Sequence, residues 1–194
     1  MLFTKKQKGD FSLATNNLKI GSPAPDFNLP GVDGKKYALS FFAEEKALIV
    51  IFSCNHCPYV QAYENRIKQI QSDYAGKGAS VVAINSNEDK GYPEDSFENM
   101  KKRATEQKFN FLYLRDEDQS VARAYDATHT PEIFLFDNER KLAFHGKIDD
   151  NWQEPNKVQN HYLRNALDEL LAGKEISVPE TFTIGCTIKW KKLE

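Results

Sequence analysis

The sequence predicts an α/β fold in which helices flank a central mixed β-sheet. Two apolar runs of strand length, 47–52 (ALIVIF) and 80–85 (SVVAIN), are typical of buried strands. Two later strands, 132–136 and 141–145, are joined by a turn and form a closing hairpin, which makes the sheet mixed. Between the two apolar runs, hydrophobic residues recur every three or four positions, as on one face of a helix: Val60, Tyr63, Ile67, Ile70 and Tyr74.

The chain before the first apolar run is predicted to carry a linker and a small hairpin. The segment 21–25 (GSPAP) is typical of an entry linker. Residues 26–29 and 36–39 flank the turn Val32-Asp33-Gly34 and are predicted to pair as a hairpin.

The helices are predicted from their end signals. The helix after the central strand is expected to end near Gly76 and Gly78. Asp95 and Glu98 are predicted to form a capping box for a second helix. Three later elements are a strand at 111–114, a short helix at 120–125 and a final amphipathic helix at 158–171.

These elements predict one domain over residues 21–173. An N-terminal extension (1–20) precedes it, and a C-terminal tail (174–194) that carries Cys186 follows it. The pattern does not predict the path of this tail.

Composition and charge argue against some classes of function. The 194 residues are 40% hydrophobic with a net charge of −2, so no basic surface is expected for nucleic acid or a membrane. The N-terminus lacks the apolar segment of a secretory signal, and we predict a cytoplasmic protein. In a reducing compartment, a close cysteine pair points to catalysis or metal binding rather than to a structural disulfide.

Cys54 and Cys57 form a C-x-x-C motif where the first apolar strand passes into the helical pattern. We predict Cys54 at the helix start and Cys57 one turn further in. Free backbone N–H groups and the helix dipole favour a thiolate there, so the pKa of Cys54 is expected to be lowered. Cys54 is the predicted nucleophile, and Cys57 the cysteine that resolves the mixed disulfide by attacking the Cys54 sulfur. Two inert core thiols are the alternative.

The C-x-x-C motif, followed well downstream by Thr130-Pro131 entering a strand, resembles the thioredoxin fold. Other segments resemble the branch shared with peroxiredoxins, the alkyl hydroperoxide reductase/thiol-specific antioxidant (redoxin) superfamily: Pro25-Asp26-Phe27, Asp33-Gly34-Lys35 and 122–137 (ARAYDATHTPEIFLFD). Three segments are similar to its "peroxiredoxin-like" subgroup: 54–60 (CNHCPYV), 146–150 (GKIDD) and 185–190 (GCTIKW).

The resemblance implies roles for three residues around the cysteines. The Thr130–Pro131 bond would be cis, its loop would face the cysteines, and the Thr130 backbone would pair with an extended substrate. An ordinary trans turn is the alternative. His56 directly precedes the second cysteine, as in strongly oxidising members of the fold, where an imidazolium would stabilise the Cys54 thiolate. A bystander histidine is the alternative.

The sequence departs from true peroxiredoxins at their chemical centre. Their peroxidatic cysteine aligns with Cys57, and Pro58 follows it as in those enzymes. Their motif also has Thr or Ser where this chain has Cys54, and Pro where it has Val50. Their active-site arginine, which precedes the strand after Thr130-Pro131, has no counterpart here. Efficient peroxidase activity is therefore not expected.

Cys186 is predicted either as a third redox thiol or as a half-buried structural cysteine. A tail that folded back over the active site would let Cys186 exchange with Cys54 or Cys57. Free cysteines are often just small hydrophobic residues, so both interpretations stay open.

The leading hypothesis is a thiol-disulfide oxidoreductase that acts on a protein or small-molecule disulfide. Its electron donor would be a thioredoxin or a low-molecular-weight thiol, and no bound cofactor is expected. The alternative enzyme is a thiol peroxidase. A metal site of two thiolates with His56 or His129 is disfavoured because closed zinc sites use four protein ligands, and we expect no metal. A redox-sensing module without turnover is a further alternative.

Overall fold

A computed structural model describes residues 18–192, so most of the predicted N-terminal extension lies outside the described residues. The described chain passes through the predicted linker into the predicted hairpin. Its strands are β1 (Asn28–Pro30) and β2 (Lys36–Ala38), which pair antiparallel as a separate two-stranded sheet.

The core is a five-stranded mixed sheet, as predicted. The central strand β3 lies parallel to β4, which lies parallel to β5, and on its other side β3 pairs antiparallel with β7, which continues into the antiparallel β8. Their bounds are Ala47–Ser53 (β3), Ala79–Asn85 (β4), Leu112–Arg115 (β5), Glu132–Phe136 (β7) and Leu142–Gly146 (β8). Every residue of β3 is buried, which explains its unbroken apolar sequence.

Helices cover both faces of this sheet. Because successive strand residues point to opposite faces, Ile49 and Ile51 pack against the first and last helices, whereas Val50 and Phe52 face the hairpin side. The helices are α1 (Pro58–Tyr74), α2 (Phe97–Glu106), α3 (Ser120–Ala124) and α4 (Tyr162–Leu171). Among the described residues, no helix has the length and apolar character needed to cross a bilayer.

The start of α4 differs from the prediction of 158–171. Residues Pro155–Lys157 form a 3-10 turn, and the Asp150 carboxylate accepts hydrogen bonds from the backbone N–H groups of Gln159 and Asn160. These contacts hold the segment in a loop, so the helix begins only at Tyr162.

The predicted capping box at α2 is also wrong. Ser96 caps the helix, because its Oγ accepts a hydrogen bond from the Asn99 N–H at 3.4 Å. Asp95 is instead fully buried beneath the cysteine loop.

The C-terminal tail returns to the domain and adds a short strand pair. The strand β9 (Cys186–Thr187) pairs antiparallel with β6 (His129–Thr130), and Cys186 lies opposite Thr130. The tail also follows β8, since the Thr181 N–H donates to the His145 carbonyl. Sequence periodicity gave no indication of this path, because a two-residue strand has no period.

Candidate active site

Both cysteines of the C-x-x-C motif lie in the loop between β3 and α1. Helix α1 begins at Pro58, so Cys57 is the residue that precedes the helix, and Cys54 lies further upstream. The prediction that Cys54 starts the helix and that Cys57 lies one turn inside it is therefore wrong. Proline suits the first helical position because it has no N–H to leave unpaired there, and this moves the boundary to Pro58. Both side chains are buried, at 1% exposure for Cys54 and 0% for Cys57.

The cysteines face the loop that carries Thr130 and Pro131, and the bond between these two residues is cis, as predicted. Cys57 Sγ lies 3.1 Å from the Thr130 carbonyl oxygen, and Cys54 Sγ lies 3.3 Å from the Thr130 hydroxyl. Thr130 thus contacts both sulfur atoms through different groups.

The tail brings a third thiol to the same place. Cys186 Sγ lies 2.9 Å from Cys57 Sγ, and Cys186 packs against a small apolar cluster of Cys54, Cys57 and Val60. Unlike the other two cysteines, Cys186 is only half-buried. The structure therefore gathers all three cysteines of the sequence at one end of β3.

The surroundings of Cys57 favour its thiolate. A hydrogen bond from the Cys54 thiol, the Cys186 thiol and the backbone N–H groups of Val60 and Cys186 lower the pKa of Cys57 to about 4, against the opposing effect of burial. The position before a helix adds the favourable field of the helix dipole.

Cys54 has the opposite environment. The hydrogen bond that it gives to Cys57, its burial and the nearby Asp95 carboxylate raise the pKa of Cys54 far above its ordinary value of 9.0. The structure places the helix start beside Cys57 rather than Cys54, which runs against the predicted lowering of the Cys54 pKa. Burial and the contact with Cys57 raise the pKa of Cys186 to about 11.

His56 is held by a carboxylate that the sequence reasoning missed. His56 Nδ1 lies 2.6 Å from Asp95 Oδ2, and the ring stacks on Tyr92 with centroids 5.0 Å apart. The carboxylate accepts at this contact, so Nδ1 carries the proton. Asp95 was hidden because an acid shortly before a helix has the sequence signature of a cap.

Polar side chains surround Asp95 and fix the cysteine loop. The Asn55 N–H donates to Asp95 Oδ1 at 2.6 Å, and the Asn87 side chain donates to Oδ2 at 2.8 Å. The Tyr113 hydroxyl donates to the Asn55 side-chain oxygen at 3.0 Å. All four side chains are buried, so this network orients the residue between the cysteines and the strands below it.

A second buried carboxylate holds the loop that faces the cysteines. Glu132 Oε2 accepts hydrogen bonds from the backbone N–H groups of Thr128 and His129 at 2.7 and 2.9 Å. Its other oxygen lies 2.8 Å from His145 Nε2. Glu132 follows Pro131 directly, but no sequence pattern shows that its side chain turns back onto the preceding backbone.

Among the described residues, one group of three side chains that could bind a metal ion lies close together. Ligand atoms of Cys54, His56 and Asp95 lie within 4.8 Å of one another. The Asp95 oxygens already accept the hydrogen bonds described above, and closed zinc sites require a fourth ligand. His129, the other histidine considered as a ligand, instead contacts the Thr128 hydroxyl at 2.8 Å. The arrangement fits a hydrogen-bonded network better than a metal centre.

The fold and its thiols can be compared with known proteins. The Peroxiredoxin Bcp of Escherichia coli is 24% identical over 153 residues, which cover 76% of this chain and 92% of that protein. The Thiol-disulfide oxidoreductase ResA of Geobacillus thermodenitrificans is 26% identical over 125 residues, which cover 63% of this chain and 66% of that protein, just under two thirds of its length.

Solved structures show the same architecture. An uncharacterized conserved protein from Geobacillus kaustophilus has a TM-score of 0.86 and 43% identity, covering 92% of this chain and 96% of that one. More distant structures, at 19% and 23% identity and TM-scores of 0.60 and 0.62, share the thioredoxin-like fold. The Redoxin family model matches residues 19–162, a span that holds the whole sheet, the C-x-x-C loop and the Thr130–Pro131 loop. The chain therefore belongs to the Redoxin family, with a thioredoxin-like fold of the peroxiredoxin-like kind.

Proposed function

We propose that the protein is a thiol-disulfide oxidoreductase in which Cys54 and Cys57 cycle between dithiol and disulfide. The observation that carries this proposal is that both thiols lie in one buried cluster and both contact Thr130, with conditions around Cys57 that favour its thiolate. The thiolate is the nucleophile in disulfide exchange, and a low pKa also makes a cysteine a good leaving group.

In this proposal Cys57 is the nucleophile and Cys54 the resolving cysteine, the reverse of the roles predicted from the sequence. In this mechanism the Cys57 thiolate attacks one sulfur of the substrate disulfide, and the other substrate sulfur leaves as a thiolate. Cys54 then loses its proton and attacks Cys57 Sγ, which releases the second substrate thiolate and leaves the Cys54–Cys57 disulfide. The His56–Asp95 pair lies within 4.8 Å of Cys54 and serves as the acceptor of its proton.

The substrate in this proposal is a protein or small-molecule disulfide, and a thioredoxin or a low-molecular-weight thiol returns the enzyme to the dithiol. If the protein works in the cytoplasm, its pair is mostly reduced, and net reduction or isomerisation of disulfides is the favoured direction.

The test is reduction of insulin disulfides with dithiothreitol as electron donor. Cys57→Ser should reduce the rate at least about 100-fold, because the variant lacks the nucleophile that forms the mixed disulfide with substrate. The Cys54→Ser/Cys186→Ser double variant, reduced and then freed of dithiothreitol, has no neighbouring thiol to resolve Cys57 and should accumulate mixed disulfide with substrate. Lys157→Gln, a change on the exposed turn Pro155–Lys157, is the control and should reduce insulin at the rate of the unchanged protein. Full activity of both serine variants would overturn the proposal.

A second candidate is a thiol peroxidase, and the lowered pKa of Cys57 directly before Pro58 favours it. The Cys57 thiolate would attack a peroxide oxygen, giving a sulfenic acid and releasing water or an alcohol. Cys54 would then attack the Cys57 sulfur, forming the disulfide and releasing water. Stopped-flow mixing with hydrogen peroxide separates the two: fast stoichiometric loss of thiols supports the peroxidase, and slow loss supports disulfide exchange.

A further inference from the structure

The C-terminal tail lies on the strand edge where a substrate is expected to bind. Thr130 offers its backbone beside the two cysteines, and an extended segment can pair with such an edge as an added strand. In this structure Cys186–Thr187 already pairs with His129–Thr130, antiparallel and with Cys186 opposite Thr130. The tail therefore occupies this edge as an added strand would.

The approach of the tail to this edge is close. A Cβ placed on Gly185 would lie 2.2 Å from the Thr130 carbonyl oxygen, so only glycine fits there. The residue after this glycine is the cysteine whose sulfur contacts Cys57 at 2.9 Å.

Hydrogen bonds downstream hold the strand without any covalent link. The Ile188 N–H donates to the Thr128 carbonyl at 2.9 Å, and the Lys189 N–H donates to the Asn87 side chain at 2.8 Å. Asn87 belongs to the network around Asp95, so the tail is attached to the same polar framework that orients the cysteine loop.

We propose that residues 185–187 occupy the strand position expected for a substrate and that Cys186 is a third redox thiol, which exchanges with Cys57. This inference rests on the proposed oxidoreductase function. Starting from the Cys54–Cys57 disulfide, Cys186 loses its proton and its sulfur attacks Cys57 Sγ. The Cys57–Cys186 bond forms, the Cys54–Cys57 bond breaks, and Cys54 leaves as a thiolate that takes up the proton. No external oxidant or reductant is consumed.

Oxidation of Cys57 prepares this step. In the dithiol state, burial and the Cys57 contact raise the pKa of Cys186. Once Cys57 is in a disulfide, its negative charge is gone. Only burial then raises the pKa of Cys186, so the Cys186 thiolate forms more readily.

The exchange also gives the electron donor a more exposed sulfur atom to attack. Cys54 and Cys57 are enclosed, whereas Cys186 is half-buried. A donor thiolate attacks Cys186 Sγ, the Cys57 thiolate leaves, and a second donor thiol resolves the mixed disulfide, which returns the protein to its reduced form.

The test removes Cys54, so that Cys57 and Cys186 are the two thiols left to form an intramolecular disulfide. Reduced Cys54→Ser is treated with one equivalent of the thiol oxidant diamide, and its disulfides are mapped by peptide mass spectrometry. We expect an intramolecular Cys57–Cys186 disulfide in most molecules and none in the Cys54→Ser/Cys186→Ser double variant. Gly185→Ala added to Cys54→Ser should slow its formation at least tenfold, because the added methyl collides with the Thr130 carbonyl. Gly76→Ala is the matched control, since nothing lies within 4 Å of its new Cβ.

The outcomes distinguish this inference from the function on which it rests. If Cys54→Ser keeps two free thiols or forms only intermolecular disulfides, while the unchanged protein forms the Cys54–Cys57 bond, the third-thiol inference is wrong and the oxidoreductase proposal stands. If the unchanged protein forms no Cys54–Cys57 bond and reduces no disulfide, the oxidoreductase proposal itself fails. Equal rates for Gly185→Ala and Gly76→Ala would overturn the strand-docking part of the inference.

Discussion

His56 Nδ1 lies 2.6 Å from Asp95 Oδ2, and this contact ties the residue between the two cysteines to a carboxylate 39 positions later in the chain. The central strand β3, which leads into the cysteine loop, supplies no buried acid near the thiols. Asp95 provides such an acid from the turn before α2, and its charge raises the pKa of Cys54. The fold thus obtains a buried carboxylate from a different element.

The first prediction concerns the stability that this carboxylate provides. Asp95→Asn should lower the free energy of unfolding by about 1.5–3 kcal/mol, because hydrogen bonds to a charged acceptor are lost and an amide N–H₂ meets the donors of His56 and Asn87. Urea denaturation of the reduced protein measures this change.

Glu98→Gln is the control for Asp95→Asn, since this exposed side chain makes only a surface ion pair with Lys101. It should change stability by no more than about 0.5 kcal/mol. Equal losses in the two variants would contradict the role of the buried network. A second readout is the ionisation of Cys54 in Cys57→Ser, which should occur at lower pH when Asn replaces Asp95, because the neighbouring negative charge is gone.

The central strand and the cysteine motif are visible in the sequence because their causes are local. An all-buried strand needs an unbroken apolar run, and the C-x-x-C spacing lies within one loop, so both could be predicted. The roles of Asp95 and Glu132 depend on partners in other elements, and each side chain has an ordinary sequence context. The position of Cys186 depends on a two-residue strand pair, which leaves no periodic signal.

The prediction that Cys54 has the lower pKa could not be secured from local sequence for a similar reason. It depended on where the helix begins, and helix boundaries are the least certain part of a sequence-based prediction. A shift of the start to Pro58 moved the favourable field from one sulfur to the other.

The second prediction concerns the pH dependence that Cys57 imposes on the reduced protein. Its pKa of about 4 in the folded state lies below its ordinary value of 9.0. The thiolate therefore stabilises the folded state fully above pH 9, and this contribution decreases as pH falls from 9 to about 4. The stability difference between the unchanged protein and Cys57→Ser should grow with pH across this window.

Urea denaturation under reducing conditions at several pH values measures that difference, and thiolate absorbance near 240 nm follows the ionisation directly. Cys186→Ser provides the comparison, because the pKa of Cys186 is raised to about 11 and its effect lies above pH 9. A stability difference that stays constant from pH 4 to 9 for Cys57→Ser would contradict the assignment of the thiolate to Cys57.

The third prediction concerns Glu132, which holds the loop opposite the cysteines. Burial raises the pKa of Glu132, but the hydrogen bonds from His145 and from the N–H groups of Thr128 and His129 outweigh it, and the net pKa is lowered below 4.5. Glu132→Gln should cost about 1.5–3 kcal/mol at neutral pH, since charge-assisted hydrogen bonds are lost.

A lowered carboxylate pKa stabilises the folded state above the unfolded pKa of 4.5, and that stabilisation is lost as pH falls through the folded value. The gap between Glu132→Gln and the unchanged protein should therefore be largest above pH 4.5 and should shrink on acidification. Glu139→Gln, on the exposed turn between β7 and β8, is the control. A gap that is independent of pH would mean that Glu132 contributes packing rather than charge.

The fourth prediction concerns the ion pair that fastens α1 to the loop after β8. Arg66 Nη1 lies 2.6 Å from Asp149 Oδ2 and also donates to the Asn151 carbonyl, while the guanidinium covers the Tyr63 ring at 4.0 Å. Asp149 is 2% exposed, so removal of Arg66 leaves a buried carboxylate without its charged partner, with hydrogen bonds only from the Tyr63 hydroxyl and the Asn151 N–H. Arg66→Met should lower the free energy of unfolding by about 3–5 kcal/mol.

The double variant Arg66→Met/Asp149→Asn decides between loss of charge pairing and loss of packing. Because it removes the unpaired charge, it should be more stable than Arg66→Met alone, and the two single changes should be non-additive. Lys157→Met is the control, since Lys157 pairs with Glu154 on an exposed turn and should change stability by no more than about 0.5 kcal/mol. If the two single changes simply add, Arg66 stabilises α1 through contact area over Tyr63, and the ion pair contributes little.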